Sequence, residues 1–124
     1  MSRNDVTDTE LAILEVLWDQ GPVAVREIVD ALYGEYRRSL HATVKSLLDR
    51  LMEKGFVETD TSQFAHRFTA KVDRAQFVGK QLEKIVTSHF DGAVAPMLHA
   101  LVDHTKLKRK ERDAIRRIIE DLDD

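Results

Sequence analysis

A chain of 124 residues with 43% hydrophobic and 33% charged side chains has the size of one compact domain, or of a small domain carrying an oligomerisation element. That composition excludes a disordered chain, and no apolar run approaches the roughly 20 residues of a membrane span. The lack of cysteine excludes disulfides, thiolate metal sites and thiol nucleophiles, and a formal net charge of −3 gives no overall attraction to nucleic acid.

The charge is unevenly spread. Residues 1–36 hold two cations against eight acids, whereas residues 37–54 hold five cations against two, and the remaining stretches balance. Attraction to phosphate is local, because charges are screened over about 8 Å at physiological salt. A positive helix can therefore bind DNA on an acidic protein. The opening MSRNDVTDTE has no apolar stretch of secretory type, so the expectation is a cytoplasmic protein without membrane insertion.

The first helix has a complete start signal. Thr7 and Glu10 form a Thr-x-x-Glu capping box, and Val6 and Leu11 stand where a hydrophobic staple would close it. Leu11, Leu14, Leu17 and Trp18 share one face, which makes Trp18 a core residue, and Gly21-Pro22 stops the helix. Val25, Ile28, Val29 and Leu32 repeat the pattern in a shorter helix ending at Gly34, with Ala24 as a poor cap.

A third helix is expected from Ser39 to Lys54, with Ser39 as its cap and Gly55 as its left-handed end. Val44, Leu47, Leu48, Leu51 and Met52 form its apolar seam. The opposite face carries Ser39, Ala42, Lys45, Ser46, Asp49 and Glu53, flanked by Thr43 and Arg50. Two short helices joined by a Gly-containing segment fit a helix-turn-helix, the second helix entering the major groove. An ordinary surface helix in a three-helix bundle fits the same periodicity. Next, Phe56 to Thr59 reads as a strand, Asp60 to Gln63 as a turn, and Phe64 to Ala70 as the returning strand. Phe64, His66 and Phe68 then share one face and Arg67 points the other way. Helix, helix, helix, hairpin is the order of a winged helix, although the hairpin tip carries Asp60 and no lysine or arginine.

Asp73 and Gln76 mark another capping box, with Val72 and Phe77 as staple. The helix that follows is lined by Phe77 or Val78, then Leu82, Ile85, Val86, His89 and Phe90, and Asp91-Gly92 interrupts it. A further helix runs through Met97, Leu98, Leu101 and Val102, with Pro96 leaving its start open. The last, from about Arg109 to Leu122, carries Ile115, Ile118, Ile119 and Leu122 on one side. Three short helices cannot easily bury these faces alone, and a two-fold partner would cover them; a compact second lobe packed on the first is the alternative. The expected class is thus mainly α with a small β hairpin: a winged helix-turn-helix DNA-binding domain over 1–72 and a helical dimerisation region over 73–124.

Three stretches, TDTELAILEVLWDQGPVAVREIVDAL, TVKSLLDRLMEKGFVE and HRFTAKVDR, resemble in that order the penicillinase-repressor family of bacterial transcriptional regulators. The family includes repressors of β-lactamase and methicillin-resistance genes and copper-responsive repressors. The resemblance implies a homodimeric repressor on a pseudo-palindromic operator of TACA/TGTA type, with Ser39 to Lys54 as recognition helix and Thr43 matching the family's early threonine. It also brings in a membrane sensor-protease pathway as a partner. Two departures stand out. The Asn-Phe bond cut in β-lactam-responsive members aligns with Ala100-Leu101, and the cysteine pairs of copper-responsive members are absent.

The DNA contacts expected on this reading are Thr43, Lys45 and Ser46 at base edges, with Ala42 on the same face. Arg37, Arg38, Ser39 and Arg50 would anchor phosphates, and Arg67 would act from the wing. The dimer face would comprise Phe77, Leu82, Ile85, Val86 and Phe90, then Met97, Leu98 and Leu101, and finally Ile115, Ile118, Ile119 and Leu122. The five histidines form no His-x-x-x-His pair, and no Gly-rich phosphate loop or Ser/His/Asp grouping is present. His99, Asp103 and His104 make only a weak metal pattern. No enzyme activity, metal or cofactor is expected. The competing class is a protein-interaction module that keeps the winged helix as a scaffold.

Overall fold

The computed structural model describes residues 6–122. Its elements run α1 (Asp8–Gln20), α2 (Val25–Tyr33), α3 (Arg38–Glu53), β1 (Val57–Asp60), β2 (Arg67–Ala70), α4 (Arg74–His89), α5 (Val94–His104) and α6 (Arg109–Leu122). The chain divides into two units, Met1–Phe77 and Val78–Asp124, and the division falls inside α4. The first unit is a winged helix.

Local chemistry sets the helix starts. Glu10 N–H donates to Thr7 Oγ1 at 3.2 Å and Thr7 N–H donates to Glu10 Oε1 at 3.0 Å, so the reciprocal box opens α1. Ala24 gives α2 no side-chain cap, but its N–H donates to Glu27 Oε1 at 3.2 Å, which leaves half a box. Gly34 ends that helix at φ +78°, in the left-handed region that glycine enters without a Cβ clash.

The third helix starts earlier than the sequence suggests. Arg37 is its N-cap, with extended backbone and no side-chain capping bond, so Ser39 is already helical and is not the cap. Gly55, at φ +84°, follows the helix as expected. The hairpin is shorter than expected. Its register pairs Val57 with Ala70 and Asp60 with Arg67, so the returning strand begins at Arg67 and residues 61–66 form the tip. Phe64 therefore does not share a strand face with Phe68. Phe64 is 107% exposed and Phe68 only 1%. Val23 supplies a third, one-residue strand, exchanging bonds of 3.1 Å and 2.8 Å with the backbone of Phe68.

These elements enclose one core. Ile13, Leu14 and Leu17 of α1, Ile28 and Val29 of α2, and Val44, Leu48 and Leu51 of α3 meet Val57 and Phe68 of the hairpin. Trp18 caps the core from the side, its indole N–H donating to Val72 O at 2.8 Å. Phe77 joins them, with its ring 5.7 Å from Trp18 and 5.6 Å from Phe56. Phe77 is thereby removed from the dimer face on which helical periodicity put it, because the N-terminal core takes it first.

The second unit holds the rest of α4, then α5 and α6. The Asp73/Gln76 box forms, with bonds of 2.8 Å and 3.4 Å. Asp91 and Gly92 turn the chain at φ +52° and +81° after α4. Pro96 is the third residue of α5, within the first turn, where its missing N–H costs no helical bond. Helix α5 packs on α6, and Val86, Val102 and Ile119 are buried inside this unit. Val78, Leu82 and Ile85 of α4, Val94 and Leu101 of α5, and Ile118 and Leu122 of α6 stay exposed.

Candidate nucleic-acid interface

Helix α3 is sealed on one side and open on the other. Val44, Leu48 and Leu51 are fully buried, which fixes the rotation of the helix. Ser39, Ala42, Thr43, Ser46, Asp49, Arg50 and Glu53 consequently face solvent. The N-terminal half of that face is small and polar, so it can approach a base edge closely. Thr43 Oγ1 donates to Ser39 O at 3.0 Å, which commits the hydroxyl proton to the helix. The methyl group and the oxygen's remaining acceptor capacity are left for a ligand.

The cations expected to anchor phosphate are placed unevenly. Arg38 and Arg50 are exposed on α3. Arg37 is exposed at the cap and pairs with Glu35 at 2.9 Å. Lys45 is half-buried, pairs with Asp49 at 2.8 Å and lies 5.9 Å from the Phe68 ring centroid. Arg67 turns back into its own unit, donating to Pro22 O and Gln63 Oε1 at 3.1 Å each. Arg38 and Arg50 are thus presented outward, while Arg37, Lys45 and Arg67 must share or exchange partners to reach a ligand.

Sequence reasoning missed a cleft beside α3. Its walls are Ala24, Val25 and Arg26 at the start of α2, His41 and Lys45 of α3, and Phe64, Ala65, His66 and Phe68 of the hairpin, around a volume of about 300 Å³. Tyr36 lies next to it, its hydroxyl 2.9 Å from His41 Nδ1 and its ring 4.7 Å from the Arg26 guanidinium. The spacing of His41 and Lys45 four apart was the available signal.

Glu10 and Lys54 form the buried charge pair of this unit. Burial pushes the Glu10 carboxyl up, but bonds from the Thr7 backbone, the Lys54 ammonium and the Thr7 side chain outweigh it and hold the carboxyl below its ordinary range. Among the described residues no three His, Cys, Asp or Glu side chains converge as a metal site, and no helix is long and apolar enough to cross a membrane.

Comparisons with known proteins agree with this geometry. The chain is 29% identical over 119 residues to a transcriptional regulator named BlaI of Mycobacterium tuberculosis, covering 94% of this chain and 83% of that protein. It is 26% identical over 110 residues to an uncharacterised 16.5 kDa protein of Latilactobacillus sakei, covering 89% of this chain and 75% of that one. A model of the penicillinase repressor family matches residues 6–121. With nearly the whole chain matched and the winged helix in place, the protein belongs to the penicillinase repressor family.

Proposed function

We propose that this protein is a cytoplasmic transcriptional repressor that binds a pseudo-palindromic operator as a homodimer. The observation that carries the reading is the open face of α3, where Ser39, Ala42, Thr43 and Ser46 are exposed above a sealed core. Thr43, Lys45 and Ser46 read base edges with Ala42 beside them. Arg37, Arg38, Ser39 and Arg50 hold phosphates, and Arg67 stiffens the wing until DNA draws it away from Pro22. Two such helices enter successive major grooves about 34 Å apart, and the bound dimer denies polymerase the promoter. The chain carries no catalytic step of its own on this reading.

The second copy is invoked for the exposed apolar residues of α4, α5 and α6. Val78, Leu82 and Ile85 form a stripe on α4, and Ile118 and Leu122 form another on α6, each 42–51% exposed. The bond aligned with Asn-Phe is Ala100-Leu101, within α5, so release by a membrane sensor-protease would need a different cleavage sequence. By whatever route the signal arrives, release requires weakening the dimer or changing its helix spacing.

The test is a titration with a duplex carrying TACA/TGTA half-sites and with a scrambled duplex, at two salt concentrations. The expected result is a complex of two chains per duplex that is tighter on the half-site sequence. Absence of binding to either duplex at low salt would overturn the reading and leave the winged helix as a protein-interaction scaffold.

A further inference from the structure

Phe64 is the anomaly of the first unit. It is a phenylalanine at the tip of the hairpin with a relative exposure of 107%, so it forgoes all burial in its own fold. It also lines the cleft formed with Arg26, His41, Lys45 and His66. The cleft's lining includes two formal cations, two imidazoles and no carboxylate. Lys45 is shared with Asp49 at 2.8 Å, which lies toward the reading face of α3. On the helix, His41 and Lys45 flank Ala42 and Asp49, so the cleft continues that face sideways toward the wing.

A lining that mixes apolar side chains with cations and imidazoles suits one class of ligand on this face, a sugar–phosphate segment of duplex DNA. The deoxyribose offers an apolar surface and the phosphate beside it offers the charge. Apolar side chains on minor-groove elements are known to wedge between base steps, so an exposed phenylalanine is compatible with that groove. Residues 61–66 of the tip hold no lysine or arginine, and Arg67 beside them is turned back to Pro22 O, so the tip itself offers Phe64 and His66.

We propose that the wing engages DNA through Phe64, which packs on a deoxyribose at the minor-groove edge while Arg26, His41 and His66 seat the adjoining phosphate. This deepens the DNA-binding reading and rests on it. The contact adds affinity without sequence preference, because sugar and phosphate are the same at every base pair.

The test uses the full chain with the half-site and scrambled duplexes. Phe64→Ala, whose side chain supports nothing in the fold, is expected to weaken both duplexes roughly fivefold with the salt slope unchanged, since an apolar contact releases no counterions. Phe64→Trp is expected to restore binding, and its indole emission to change on adding duplex, against the wild-type background from Trp18. A double variant, Arg26→Ala with His66→Ala, is expected to lower the salt slope by about one unit. If Phe64→Ala binds both duplexes like wild type while Arg38→Ala weakens them, the DNA reading stands and the Phe64 assignment falls. A small aromatic sulfonate that binds the cleft tightly and is not displaced by either duplex would also overturn it, by making the cleft a small-molecule site. If wild type binds no duplex, both fall together.

Discussion

Lys54 Nζ sits 3.0 Å from each carboxylate oxygen of Glu10, so the end of α3 is fastened to the first turn of α1. Glu10 is 1% exposed, and it also receives the Thr7 N–H. Removing the ammonium leaves a buried carboxylate short of its counter-charge, which costs far more than losing a surface pair. Lys54→Met should lower stability by about 3 kcal/mol. The double variant with Glu10→Gln should recover part of the loss. Urea unfolding of the set measures this, and equal stability of wild type and Lys54→Met would show the pair to be idle.

The same pair gives the fold an acid-side dependence. The Glu10 carboxyl is held below its ordinary value of 4.5 in the folded state. Its stabilising contribution is therefore complete above about pH 4.5 and is lost as pH falls through the lower folded value. Unfolding followed from pH 6 down to pH 3 should show this loss, and Glu10→Gln should flatten it.

Thr43 should read DNA with its methyl group, because its hydroxyl proton is committed to Ser39 O. Thr43→Val keeps the methyl and should retain preference for the half-site duplex. Thr43→Ser should lose roughly fivefold on that duplex and little on a scrambled one, the value of about one buried methyl. Fluorescence anisotropy separates the two variants, and a larger loss from Thr43→Val would shift the assignment to the hydroxyl oxygen.

On the proposed DNA reading, Asp49 should restrain the affinity of α3. It holds Lys45 at 2.8 Å and adds negative charge to the exposed face of that helix. Asp49→Asn should tighten both duplexes several-fold at low salt and steepen the salt slope by about one unit. An unchanged slope would mean that Lys45 stays out of the DNA contact.

Charges introduced into the exposed stripes should separate the dimer. Ile85→Glu and Ile118→Glu replace residues that are 42% and 51% exposed, so the unit itself should stay folded. Light scattering at micromolar concentration should give a monomer for the pair of substitutions and a dimer for wild type. Circular dichroism should remain helical for both.

Much of this was legible in the sequence where one side chain decides a local geometry. The Thr7/Glu10 and Asp73/Gln76 boxes, the left-handed glycines at 34 and 55, and the buried seam of α3 are such cases. Features that depended on distant partners were not. The cap at Arg37 uses backbone conformation alone, so Ser39 looked the better candidate. Phe64 and Phe68 stand four apart, and period two could not tell a strand residue from a tip residue. Phe77 fitted an amphipathic helix well, but Trp18 and Phe56, distant in sequence, claimed it for another core.

The bonds between Val23 and Phe68 have a consequence for the thermodynamics of recognition. They tie β2, one residue from the tip, to Val23 ahead of α2, so the strand pair is held along its length before any ligand arrives. On the proposed DNA reading, the conformational freedom a ligand would remove then lies in the short tip at residues 61–66. A wing built this way orders few residues on binding, which keeps the entropic penalty small.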